Sequence, residues 1–218
     1  IVTPVFKNIS WYGFSLAGAC YNVMVTNIHG TRCRHTVSVN WRAEGLYGMP
    51  ERVKIIDGLS ERSTLSGWDT HDTGRDIEFI RCESIRAEDD GFQIRTSNCK
   101  LIDPIANDSD EDGISIEVGA ENVVIVRPQS KRNGRFGISS YKPVLIIDPD
   151  IQDNLSYGLS TQGGEVRGGL IEGNDQAINY GRSLTGLTLY SLKMSGTRIP
   201  HSATQGLAFL QSDETGYD

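Results

Sequence analysis

Short segments that open on glycine and alternate apolar with polar residues recur along this chain at nearly constant intervals. Gly67-Trp68-Asp69-Thr70-His71 aligns with Gly91-Phe92-Gln93-Ile94-Arg95, Gly113-Ile114-Ser115-Ile116-Glu117, Gly137-Ile138-Ser139-Ser140-Tyr141 and Gly158-Leu159-Ser160-Thr161-Gln162, in steps of 24, 22, 24 and 21 residues. Weaker copies stand at Gly13-Phe14-Ser15-Leu16, Thr36-Val37-Ser38-Val39-Asn40, Ala177-Ile178-Asn179-Tyr180 and Gly206-Leu207-Ala208-Phe209. A second series keeps the same period: Val23-Met24-Val25, Ile77-Glu78-Phe79, Cys99-Lys100-Leu101, Val123-Val124-Ile125, Val144-Leu145-Ile146 and Leu187-Thr188-Leu189. Short strands at such a period, with no amphipathic helical stretch between them, are the mark of a solenoid whose turns stack on one another. The fold class expected is all-β, a right-handed single-stranded parallel β-helix of about 21–24 residues per coil. Leucine-rich repeats share the period but need a leucine consensus that is absent, and hairpin barrels need turn signals about every 8 to 12 residues.

Alternation on a strand sends successive side chains to opposite faces. Trp68, Phe92, Ile114, Ile138, Leu159 and Ile178 form one inward column, with Thr70, Ile94, Ile116, Ser140, Thr161 and Tyr180 beside it. The outward columns are Asp69, Gln93, Ser115, Ser139, Ser160 and His71, Arg95, Glu117, Tyr141, Gln162, each residue about 4.8 Å from the next coil's counterpart. The step from Thr36 to Gly67 lengthens to 31 residues, so a loop at 41–49 or 59–65 is expected to project and wall a groove. The stretch from His29 to His35 reads as turn.

The 218 residues suit one domain, expected to span 1–218 as a piece of a longer chain, with 197–218 a cap or the start of a further segment. Twenty-one Lys and Arg against 28 Asp and Glu leave a net charge of −7, which repels phosphate backbones and anionic membranes. The longest apolar runs, Val123 to Val126 and Val144 to Ile147, fall far short of the roughly 20 residues that span a bilayer. Cys20, Cys33, Cys82 and Cys99 show no paired spacing and read as buried thiols.

The outer face of a β-helix is elongated, and its rows of Ser, Gln, Asp, Arg and Tyr suit a hydroxyl-rich polymer, so a polysaccharide is the expected partner. Asp69 and His71, two apart, share that face, with Arg95 one coil along. A carboxylate orients an imidazole and raises its basicity, as a general base needs. An Arg beside it pairs with a sugar carboxylate and eases removal of the proton alpha to it. Asp69, His71 and Arg95 are the candidate catalytic residues for β-elimination or epimerisation of a uronic acid, with Gln93, Ser115, Glu117 and Tyr141 lining the substrate. The competing readings are structural: Asp69 and His71 tying down the turn through Asp72, Thr73 and Gly74, and Arg95 forming a plain ion pair with Glu117. A glycosidase needs two carboxylates roughly 5 to 9.5 Å apart, for which Asp69 with Glu117, or Asp89 with Asp90, are the pairs to consider. No cofactor is expected. The run Asp108, Asp110, Glu111, Asp112 is the place for a Ca²⁺, but without the full alternation of a calcium loop it reads as a solvated turn.

Asp69-Thr70-His71-Asp72 followed by Asp90-Gly91-Phe92 resembles the β-helical module of mannuronan C-5 epimerases, which carry Asp-Pro-His-Glu and an Asp-Gly-Phe about twenty residues later. The resemblance implies that Asp69 and His71 occupy catalytic positions; Ser66 and Arg95 stand where that family has a catalytic Tyr and a second catalytic Asp. The whole chain, with its Arg34-His35 turn, its Trp68-Asp69-Thr70-His71 segment and its irregular coils, is similar to the β-helix of bacteriophage tailspikes, within the pectate-lyase-like superfamily. That resemblance implies a homotrimer on a virion tail that binds, and degrades, a bacterial capsule or O-antigen. A stand-alone lyase or epimerase, and a non-catalytic adhesin or shaft, are the alternatives.

Overall fold

A computed structural model describes residues 3–39, 48–71, 74–180, 186–195 and 207–210. Every described element is a short strand or a turn, and the strands stack in parallel into three sheets that the chain visits in turn. One coil runs through Glu83–Ile85 in the first sheet, Phe92–Ile94 in the second and Lys100–Ile102 in the third. Among the described residues the sheets hold nine, eight and nine strands, about eight turns of a parallel β-helix. The register is the one the glycine repeat predicts: Trp68 pairs with Phe92, Phe92 with Ile114, Ile114 with Ile138, Ile138 with Leu159 and Leu159 with Ile178.

The corners explain why these residues coil. Between the third and first sheets stand Asn27, Asp57, Arg81, Asp103, Arg127 and Asp148, all with φ between 48° and 55°. Asn and Asp enter this left-handed region readily because their short polar groups bond locally, whereas each Arg there costs about 1 kcal/mol or more. Each corner N–H reaches the next coil, as Asp57 does to Ile80 O at 3.0 Å and Arg81 to Ile102 O at 2.8 Å. Opposite charges stack in the same column, with Arg81 on Asp57 and Arg127 on Asp103, both at 2.6 Å. The glycines before the second-sheet strands serve close approach: a Cβ on Gly113 would strike Ser130 Oγ and the Gly137 carbonyl, and one on Gly137 would strike Ile151.

Inside, one continuous apolar core fills the coil. Trp68, Phe79 and Phe92 pack together with ring centroids 5.9–6.1 Å apart, and the Trp68 indole N–H donates to Glu83 O at 3.1 Å. That aromatic cluster is the floor beneath Asp69 and Gln93. Cys33, Cys82 and Cys99 are buried and Cys20 half-buried, all as free thiols.

The structure corrects several expectations. Periodicity showed two sheets, and there are three: the first sheet's strands are three residues long with one inward side chain each, often Ser or Ala, so they carry almost no hydrophobic alternation. His29–Thr31 is one of these strands and His35–Val39 belongs to the second sheet, so the stretch read as turn is mostly strand. Leu59–Glu61 is likewise a first-sheet strand, which removes 59–65 as a projecting loop; most of the other candidate, 41–49, lies outside the described residues. Leu207–Leu210 joins the third sheet against Leu187–Tyr190 rather than continuing the glycine series. The rest of 197–218 lies outside the described residues, as do Asp72 and Thr73.

Candidate active site

The outward face of the second sheet carries two layers of polar groups. Short side chains lie beneath and longer ones fold over them, so Asp69, Ser115 and Ser139 are buried although they point away from the core. Expecting these columns to face water overlooked the length of their neighbours.

Asp69 is completely buried and is held by side chains from three successive coils. His71 Nε2 lies 2.9 Å from its Oδ2, Ser38 Oγ donates to Oδ2 at 3.1 Å and Arg95 Nη1 donates to Oδ1 at 3.1 Å. Burial alone would raise its pKa; the His71 hydrogen bond and the fields of His35, His71 and Arg95 outweigh it and hold the carboxyl below the usual carboxylate range. Arg95 pairs with Asp69 and not with Glu117, because its extended guanidinium turns back along the face. Its Nη2 donates to Gln93 Oε1 at 2.6 Å, and its Nη1 lies 3.5 Å from His71 Nδ1. His71 thus points one nitrogen at the carboxylate and the other at the guanidinium, with a quarter of its side chain exposed.

The band continues toward the start of each strand. Ser66 Oγ is 3.4 Å from Gln93 Oε1 and donates to Asp89 Oδ2 at 2.9 Å. His35 Nδ1 donates to Ser66 O at 2.8 Å while its ring stacks on Tyr12, and burial pushes its pKa down against the field of Asp69. In the column that Ser66 begins stand Asp90 and Asp112, both buried. Asp90 Oδ1 accepts the Asp112 N–H at 3.0 Å, and Asp112 Oδ2 lies 2.5 Å from Ser139 Oγ. Burial, then the charges of Asp112 and Asp89, push Asp90 up to about 8. Ser139 Oγ lies 3.3 Å from Ser115 Oγ, which donates to Glu117 Oε1 at 3.3 Å.

Of the residues expected from sequence, Asp69, His71, Arg95 and Gln93 come together in one hydrogen-bonded group. Ser115 and Glu117 form a second group one coil further, and Tyr141 stands exposed at its rim. His35, Ser38 and Asp112 were not expected in the site. The column just before each glycine, Ser66, Asp90, Asp112, was the signal for the last of these. Of the acidic run considered for Ca²⁺, Asp108 pairs with Arg132, Glu111 with Arg135, and Asp112 faces Ser139. Among the described residues no three His, Cys, Asp or Glu groups gather as metal ligands.

No protein-family model matches the chain. A capsule K1-specific depolymerase of Klebsiella phage K64-1 is 47% identical over 92 residues, which amount to 42% of this chain and 10% of that protein. The periplasmic alginate epimerase AlgG superposes with a TM-score of 0.71 at 13% identity, over 87% of this chain and 49% of its own. The A-module of an Azotobacter vinelandii mannuronan C-5 epimerase gives 0.56 at 13% identity, over 91% of this chain and 64% of its own. The chain therefore shares the parallel β-helix fold of alginate epimerases, and part of it is related in sequence to a phage capsule depolymerase.

Proposed function

We propose that this chain is the polysaccharide-acting β-helix of a phage tail protein that binds and cleaves an acidic bacterial capsule. The observation that carries the reading is the buried Asp69 carboxylate, in contact with His71 Nε2 at 2.9 Å and ion-paired with Arg95, on the outer face of the solenoid. The sequence relation of part of the chain to a phage capsule depolymerase supports the polymer class and an extracellular, tail-borne location. Asp69 orients His71 through Nε2, which leaves Nδ1 as the basic nitrogen. In the empty site Arg95 lies against that nitrogen. A uronate carboxylate competes for the guanidinium as a bidentate partner, drawing it off Nδ1 and placing the acidic proton near the freed base. Arg95 then stabilises the negative charge that grows on the sugar carboxylate in the transition state.

Purified Klebsiella capsular polysaccharides, K1 first, and alginate are the polymers to test. Loss of viscosity with ultraviolet absorbance from an unsaturated sugar identifies elimination; new reducing ends without that absorbance identify hydrolysis. His71→Ala is expected to lower the cleavage rate by about 10²-fold or more. Cleavage unchanged in that variant removes His71 as the base. Arg95→Ala is expected to weaken binding of acidic but not neutral polymer, and equal weakening of both contradicts the carboxylate role. The homotrimer belongs to the same proposal. In the third sheet an outward column of Ile56, Ile80, Ile102, Val126 and Ile147 forms a half-buried aliphatic stripe, consistent with a face covered by other copies.

A further inference from the structure

Cleaving a glycosidic bond by elimination needs a second group, because the departing sugar oxygen must be protonated as the base removes its proton. We propose that Asp90 is that general acid, donating its carboxyl proton to the leaving oxygen, with Asp112 fixed beside it as a positioning residue. The inference rests on the depolymerase reading of the same face.

Four observations place it there. Asp90 is 6% exposed and buried without an ion-pair partner among the described residues. Only Oδ1 is engaged, by the Asp112 N–H, so among the described residues Oδ2 is left without a hydrogen-bond donor. The charges acting most on it, Asp112, Asp89 and Glu117, are all acidic, and Arg135 is shared between Glu111 at 2.7 Å and Asp112 Oδ1 at 3.5 Å. A buried carboxyl among carboxylates keeps its proton, whereas Asp69 among cations keeps its charge. One face thus holds both members of an acid and base pair.

The neighbouring hydrogen bonds hold Asp112 in place beside it. Ser139 Oγ donates to Asp112 Oδ2 at 2.5 Å and lies 3.3 Å from Ser115 Oγ, which donates to Glu117 Oε1 at 3.3 Å. Arg135 Nε lies 3.5 Å from the other oxygen, Asp112 Oδ1.

The step balances as follows. His71 takes the proton alpha to the uronate carboxyl, and that C–H electron pair becomes the new carbon–carbon double bond. The bond to the glycosidic oxygen breaks with its electrons on oxygen, which takes the Asp90 proton. Asp90 is left as a carboxylate, to be reprotonated from water, and His71 releases its proton to solvent.

The test measures kcat and KM on a cleaved capsular polysaccharide against pH, for the intact wild-type protein, Asp90→Asn and Asp112→Asn. The wild type should lose activity as pH rises through about 8. Asp90→Asn should lower kcat by about 10²-fold or more with KM little changed, and should abolish that alkaline limb. Asp112→Asn should keep measurable activity but move the limb to lower pH, since a negative charge beside Asp90 is gone; a purely structural role would not move it. Unchanged circular dichroism in both variants excludes misfolding. Asp90→Asn with wild-type kcat and an intact limb overturns Asp90 while leaving the depolymerase reading standing. Abolition of the limb by Asp112→Asn alone overturns the assignment in favour of Asp112. A wild type that cleaves no polymer overturns the depolymerase reading and the acid with it.

Discussion

Two aspartates on one sheet face are pushed to opposite protonation states, and the same fields that divide their chemistry divide their effects on stability. Asp90 titrates near 3.8 when free and near 8 in the fold, so between those values the native state holds a proton that the unfolded chain has released. Its stabilising contribution is complete below about pH 4 and is lost as pH rises through about 8. Asp69 runs the other way: its folded pKa is depressed, so its contribution is present above the free value and is lost as pH falls through the lower folded one. Asp90→Asn removes the first penalty while its amide oxygen still accepts the Asp112 N–H. The variant should therefore melt above the wild type at pH 8 by about 1 to 3 kcal/mol, with little difference at pH 4. Calorimetric melting across that range checks it, and a difference that does not grow with pH argues against a neutral buried carboxyl. At this scale the sequence showed Asp69, His71 and Arg95, because a two-residue spacing and a coil repeat put them on one face. It did not show His35 or Ser38, whose roles depend on a side chain one coil away, nor that Arg95 would turn to Asp69 rather than Glu117.

The strands of the second and third sheets announced themselves because a buried face leaves an apolar alternation. The first sheet did not, since it is held by corners and by polar ladders whose residues read as loop. Asn133, Asn154 and Asn174 make the point. They sit buried just past the left-handed corner residues Arg132, Asp153 and Gly173, and each Nδ2 of the first two donates to the next residue's Oδ1 at 2.8 Å. Asn154 also donates to Ser130 O and accepts the Asn133 N–H. Replacing it by Ala strands donors and acceptors on both adjacent coils, and a buried unsatisfied group costs about 1–3 kcal/mol. Asn154→Ala should therefore lower the melting temperature by several degrees, while Asn122→Gly, which removes the exposed bond to Asn98 at a left-handed φ that glycine tolerates, should change it little. Equal melting of the two variants would contradict the weight given to the buried ladder. The column of Asn, Asp and Arg corners recurs at the same period as the glycines and marks the start of the first-sheet strands.

For the whole molecule the open matter is what covers the outer surfaces. The second sheet's face is polar and engaged in its own hydrogen bonds, as a site that exchanges partners with a sugar chain must be. The third sheet's outward column from Ile56 to Ile147 is different in kind: five branched aliphatic side chains in register, each half-buried, on a chain of net charge −7. Solvent gains nothing from such a stripe, while copies that cover it remove apolar surface from water at about 25 cal/mol per Å². Acidic chains repel one another, so association should strengthen with added salt if the contact is apolar and weaken if it rests on ion pairs. Light scattering on the 218-residue chain distinguishes 24.0 kDa for a monomer from about 72 kDa for three copies. We expect the trimer mass at raised ionic strength, and its loss in Ile80→Glu, whose exposed charge would lie within the covered stripe. A monomer at every salt concentration, or a trimer that Ile80→Glu leaves intact, removes this stripe as the interface and leaves the second-sheet site to act within a single chain.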